Sequence, residues 1–283
     1  MNILRRDWND VSRADEYKLY PLGDIHLGAA ACDEKAFRAV VNLIAADERA
    51  YWVGMGDYCD FINISDPRFN AGSMAKWVKM ADLCDLARAQ RDRFLEIVGP
   101  IASRCLGMVE GNHELSIKRH YERDIYSDLV CGVKEAGGFA ADHSLALGYY
   151  GWLLLSFYRS PERRRSTLYK FNLHHGFVGG RLAGAKALNM QRWLWTHDAD
   201  LVIFGHSHNT GAQVETVETV TRGGQVSHIN RIGCYSGTFL ATNTKGSATY
   251  SEIKGYFPMA LAQPVIHLRP GAHEQRDRLR VVV

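Results

Sequence analysis

The sequence predicts an α/β fold of two packed sheets with helices on their outer faces, and three observations point to it. Apolar runs recur along the chain, each ending in a small cluster of Gly, Asp, Asn or His. In the first half these runs alternate with stretches of helical periodicity, the βαβ pattern of a parallel sheet. From about residue 144 the texture changes to strands joined by tight turns, as in a second, mixed sheet.

The first strand lies in KLYPLGDIHLG, residues 18–28, and its exit carries Asp24 and His26. A helix follows in DEKAFRAVVNLIAADERA, where Phe37, Val40, Val41 and Ile44 share one face. AYWVGMGDYCD, residues 50–60, reads as a second strand ending at Gly56 and Asp57. Apolar positions at Trp77, Met80, Leu83, Leu86, Phe94 and Ile97 predict a long helix over about 73–98. Gly99-Pro100 then leads into RCLGMVEGNHE, a third strand ending in Gly111, Asn112, His113 and Glu114. Crossovers of one hand place all three exits on one edge of a parallel sheet, where ligands gather.

In the second half, SLALGYYGWLLLSFY and STLYKFNLHHG read as strands, and residues 185–197 as a helix that Trp193 and Trp195 pack against the sheet. LVIFGHSH, residues 201–208, is a strand buried on both faces that leaves the sheet at Gly205 and presents His206 and His208 at its mouth. QVETVETVTRGGQVSHINRIG is a hairpin turning at Gly223-Gly224. No repeat, low-complexity tract or linker marks a boundary, so residues 1–283 are expected to form a single domain.

Composition narrows the function classes. With 46% hydrophobic and 23% charged residues the chain is an ordinary globular protein. A net charge of +3 is too mild for a dedicated nucleic-acid or membrane binder. The six cysteines, Cys32, Cys59, Cys84, Cys105, Cys131 and Cys234, stand singly, as reduced core or near-core thiols in a cytoplasmic protein do. The N-terminus has no apolar signal region, and LLLSF at 153–157 is far too short to span a membrane. GGRLAGAK lacks the ending of a nucleotide-phosphate loop, and GHSHN lacks the second glycine of a nucleophile elbow. His120, His143, His197, His228, His267 and His273 read as ordinary histidines. Arg163-Arg164-Arg165 reads as a solvated turn, and it is the best basic cluster for a nucleic-acid backbone.

The strand exits collect Asp24, His26, Asp57, Asn112, His113, one of His174 and His175, His206 and His208. Carboxylate, imidazole and amide donors without a thiolate suit Mn, Fe or Zn better than Mg or Ca. Asp57, alone at its exit, is the natural bridge between two cations. In extended chain, residues i and i+2 point the same way, so Asp24 with His26, and His206 with His208, are each expected to converge on one centre.

In this order the residues resemble the calcineurin-like metallophosphoesterases, whose signature runs DxH, GD, GNH with an acidic residue, a lone His, and GHxH. Here these are Asp24-Ile25-His26, Gly56-Asp57, Gly111-Asn112-His113-Glu114, His175-Gly176 and Gly205-His206-Ser207-His208, spread over roughly residues 18–240. The sequence resembles in particular small phosphoesterases of phages and bacteria, in that HHGFVGGRLAGAK keeps Gly179, Gly180 and Gly184, with Val178 where another glycine is expected.

The resemblance implies a four-layer αββα sandwich and, in the fourth block, His175 rather than His174 as ligand. It further implies one divalent ion held by Asp24, His26, Asp57 and His208, and another by Asp57, Asn112, His175 and His206. Mn2+ is the leading metal, with Fe or Zn as alternatives. Two such ions, about 4 Å apart, would supply a bridging hydroxide for in-line attack on phosphorus. Asp57 and Asn112 serve the reaction as ligands, and His113 assists the leaving oxygen with Glu114 orienting it. The expected substrate is a phosphodiester, with DNA or RNA as the candidates. A phosphomonoester and a non-catalytic metal-binding scaffold of the same fold are the alternatives. The segment 56–77 is expected to lie over the site, with Asp60, Asp66 and Arg68 touching substrate or capping turns.

Overall fold

The computed structural model describes residues 1–160, 166–176, 182–242, 258–272 and 275–283. Arg163-Arg164-Arg165, the turn with Val178, Gly179 and Gly180, and His273 lie outside the described residues.

The described strands form two six-stranded sheets. One is built on β2 (Tyr17–Leu22), β3 (Ala50–Gly54) and β4 (Cys105–Val109), mutually parallel as the βαβ pattern requires. β5 (Ala146–Gly148) joins it beside β4, and β11 (Val265–Leu268) and β12 (Leu279–Val282) extend its other edge antiparallel. The second sheet is mixed and runs β1 (Asn2–Trp8), β6 (Tyr150–Tyr158), β7 (Ser166–His174), β8 (Leu201–Phe204), β10 (Val226–Ser236), β9 (Thr210–Val220).

Central strands are buried on both faces and read as unbroken apolar runs: every residue of β4 and of β8 is buried. Between the sheets Leu4, Leu153, Leu155 and Phe171 of one meet Val53, Leu106 and Ile266 of the other. Outside the parallel sheet, α1 (Glu34–Ala46), α2 (Leu86–Val98) and α4 (Ile125–Ala136) lay Phe37, Phe94 and Leu129 onto Trp52 and Met108. Outside the mixed sheet, α5 (Ala183–Thr196) sets Met190 and Leu194 on Val202 and Phe204. These are the four layers expected. Trp193 packs as anticipated, donating its indole N–H to Asn172 at 2.8 Å, whereas Trp195 is exposed.

Three further expectations need correction. The helix over 73–98 shortens to α2, because Asp82 accepts the Lys79 N–H at 2.7 Å and Asp85 caps α2 by accepting the Arg88 N–H at 3.0 Å. Met80, assigned to its apolar stripe, is exposed. All six cysteines are free, but Cys84 and Cys131 lie on the surface rather than in or near the core.

Candidate metal centre

Five loops meet at the carboxyl edge: the exits of β2, β3 and β4 in one sheet and those of β7 and β8 in the other close on a common site, with the β7 loop supplying only His175. Of the eight non-glycine residues with positive φ among those described, five are Asp24, His26, Asp57, His206 and His208. The left-handed region is costly for side chains and persists where the surroundings over-determine it. Here cross-bonds do so. Asp24 donates its N–H to Gly56 at 3.0 Å, and the Asp57 carbonyl accepts the N–H groups of Ile25 and His26 at 2.9 and 3.1 Å. Gly56, with φ +87°, must lack a side chain: a Cβ there would lie 2.6 Å from His175 Nδ1 and 2.7 Å from the Gly111 backbone.

The turned loops overturn the expectation that His206 and His208 converge on one centre, whereas Asp24 and His26 do share one. Asp24, His26 and His208 form one group of donors, and Asp57, His175 and His206 another, each with its ligand atoms within 4.8 Å of one another. Thus His206 and His208 part company, one to each group. In the first, His26 Nε2 lies 3.1 Å from His208 Nε2, which is 3.3 Å from Asp24 Oδ1. In the second, Asn112 Oδ1 lies 2.9 Å from His175 Nε2 and 2.7 Å from His206 Nδ1. Asp57 Oδ2 stands between them, 3.3 Å from His175 Nε2 and 3.9 Å from His26 Nε2.

His174 and His175 separate cleanly, because adjacent residues at a strand end face opposite ways. His175 is fully buried in the donor group and bonds the Met55 carbonyl through Nδ1 at 2.7 Å. His174 faces α5 among Tyr149, Tyr150, Trp193 and Phe204, and its Nδ1 accepts the Gly176 N–H at 2.7 Å.

Glu114 does not orient His113, contrary to the expectation drawn from the resemblance. Its carboxylate accepts the backbone N–H groups of Asp57, Tyr58 and Gly111 at 2.8–2.9 Å, tying the β3 exit to the start of α3 (Asn112–Tyr121). The His113 ring is held instead through Nδ1 on the Asp60 carbonyl, and its backbone N–H reaches Asp57 Oδ1 at 2.9 Å. Asp60 also sets its carboxylate 3.9 Å from His26 Nδ1, and His26, Asp60 and His113 form a third group of donors. No spacing in the sequence singles Asp60 out from Asp66, which lies away from this group and forks Arg68 at 2.7 and 3.0 Å.

The electrostatics suit cations. Burial, reinforced by the charge of His113, keeps His26 well below the ordinary imidazole value, and burial with His175 lowers His206, so both favour the neutral form that ligates. Burial opposes the charged forms of Asp57 and His175, but each other's charge prevails: Asp57 is held low and His175 is pushed up to about 10. Burial also opposes a charged His113, yet Asp57 and Asp60 raise it. Burial lifts Asp60 to about 6 and, with Asp57, Glu114 to about 7. Asp24 Oδ1 and His26 Nδ1 are buried without a hydrogen-bond partner. An orphaned carboxylate oxygen beside facing imidazole nitrogens, with no thiolate, fits a divalent cation of the Mn, Fe or Zn type.

Fold and site together define a two-sheet α/β protein with candidate divalent-metal ligands at its carboxyl edge. The profile of the calcineurin-like phosphoesterases matches residues 17–210, and the chain belongs to that family. No curated protein matches it. Among solved structures, an uncharacterized protein of Streptococcus pneumoniae TIGR4 described as a predicted phosphoesterase is 10% identical, with 90% of this chain and 84% of that one covered and a TM-score of 0.35. A Vps29 double mutant from Entamoeba histolytica is 14% identical, with coverage of 89% and 84% and a TM-score of 0.33. The calcineurin-like phosphoesterase YfkN from Bacillus subtilis is 12% identical, with the same coverage and a TM-score of 0.31. Among the described residues no helix is long and apolar enough to cross a membrane.

Proposed function

We propose that this protein is a dinuclear metal-dependent phosphoesterase, with a phosphodiester, such as a nucleic-acid backbone, as the favoured substrate over a phosphomonoester. The observation that carries the reading is the division of the donors into two groups with Asp57 between them. Asp24, His26 and His208 would hold one ion, and Asn112, His175 and His206 the other, with Asp57 shared. Such ions, Mn2+ first among them, supply charge stabilisation at the phosphoryl group and lower the pKa of solvent. His113, anchored through Nδ1, keeps Nε2 for proton donation to the leaving oxygen. Asp60 positions His113 through its carbonyl and sets its carboxylate 3.9 Å from His26 Nδ1.

Elemental analysis of the purified protein, paired with Mn2+-stimulated hydrolysis of a chromogenic phosphodiester and its monoester, tests this. Two ions per chain and faster turnover of the diester are expected. Bound metal without hydrolysis of either ester or of nucleic acid would replace the enzyme with a metal-binding scaffold.

A further inference from the structure

Lys186 projects from α5 and is buried, with 7% of its surface exposed. Among the described residues no carboxylate pairs with it, and the one influence on its ionisation is burial. Withdrawing an ammonium from water without a counter-charge is unfavourable, so its hydrogen bonds are informative. Nζ donates to the Ser207 carbonyl at 3.3 Å and to Asn209 Oδ1 at 3.1 Å. Both acceptors flank His208.

The two halves of the 205–209 loop are held by different means. Around His206 the main chain and Asp24 suffice: Ser207 donates to the Gly205 carbonyl at 2.7 Å, closing a γ-turn, and the His206 N–H reaches Asp24 Oδ2 at 2.9 Å. Around His208 the main chain supplies one bond, from the Gly237 N–H to the Asn209 carbonyl at 3.0 Å, and Lys186 supplies the hold on the Ser207 carbonyl. The Ser207 carbonyl belongs to the peptide joining Ser207 to His208, so fixing that oxygen fixes the plane from which His208 departs at φ 54°.

We propose that Lys186 is the positioning residue of the Asp24, His26 and His208 group. Its ammonium turns the Ser207–His208 peptide so that His208 faces Asp24 and His26 while His206 faces Asp57 and His175. The assignment rests on the metal centre proposed above and adds a residue outside its ligands. Removing such a support costs roughly 10- to 100-fold in metal affinity, and here the loss falls on one ion of the two.

Zn2+ titration of the full chain, followed by NMR of 15N-labelled histidine rings, reads the two groups separately. For Lys186→Met the His208 and His26 signals respond at roughly 10- to 100-fold higher Zn2+ than in the parent, whereas His175 and His206 respond unchanged. Lys186→Arg, which can reach the same acceptors, restores the His208 midpoint. Unchanged midpoints in Lys186→Met, or an equal shift at all four histidines, overturn the assignment. Should Lys186→Met not fold, Asn209→Ala provides the same reading: a weaker response confined to His208 and His26 supports it, and an unaltered one overturns it. A parent chain in which no histidine responds to Zn2+ overturns the metal centre itself, a result read before any variant.

Discussion

The two principal donor groups are chemically near twins, each with one carboxylate and two imidazoles, yet the protein holds them differently. The group of Asp57, His175 and His206 is knit by Asn112, whose carbonyl oxygen serves both rings, and by the Asp57–His175 pair. The group of Asp24, His26 and His208 has no such shared amide: His208 Nε2 lies 3.1 Å from His26 Nε2 and 3.3 Å from Asp24 Oδ1, an oxygen buried without a hydrogen-bond partner among the described residues. A buried polar atom without a partner costs about 1–3 kcal/mol, so this second arrangement gains more from an ion than the first. One half of the site is therefore pre-organised by its own hydrogen bonds, and the other keeps a buried carboxylate oxygen unpaired among the described residues.

Breaking the shared member has the largest expected effect. Asp57→Ala removes the atom between the groups together with the acceptor for the His113 N–H, so at least one ion is lost by elemental analysis and ester hydrolysis falls to background. Retention of both ions with measurable turnover would contradict the bridging role. His113→Ala leaves both groups intact, and a turnover slower by about 10²- to 10⁴-fold is expected with unchanged metal content. Wild-type turnover in that variant would remove His113 from the chemistry. Asn112→Ala makes the knit group resemble its neighbour, and its metal affinity is expected to drop roughly 10- to 100-fold, measured by calorimetry. An equal loss at both groups would erase the asymmetry. His174→Leu, which removes the acceptor for the Gly176 N–H, is expected to cost about 1 kcal/mol by chemical denaturation and to leave metal binding alone. A lost ion there would put His174, not His175, in the site.

Much of the fold was legible where burial on both faces makes a strand a continuous apolar run, as in β4 and β8. α4 carries its own local signal, Asp124 as cap and Ile125, Leu129 and Val133 on one face, although strand exits alone do not reveal it. β1 was not legible: only Leu4 of its seven residues is buried, and it pairs with β6 nearly 150 residues onward. β11 and β12 are four-residue strands, drawn from the far end of the chain into the first sheet by a pairing no local pattern encodes. At the site the donor types were legible, but Asp60 and Lys186 were not, since each is marked by a contact with another element, Asp60 with His113 of α3 and Lys186 of α5 with the loop after β8.

By itself the sequence determined which side chains stand at the strand exits, in what order, and that oxygen and nitrogen rather than sulfur would face a cation. Tertiary structure alone decided how those donors divide. Spacing fixes how far apart two histidines lie along the chain, but the sign of φ fixes where each points. Bonds between the β2 and β3 loops hold that sign at Asp24, His26 and Asp57, and a bond to Asp24 holds it at His206, so His206 and His208, two residues apart, belong to different groups.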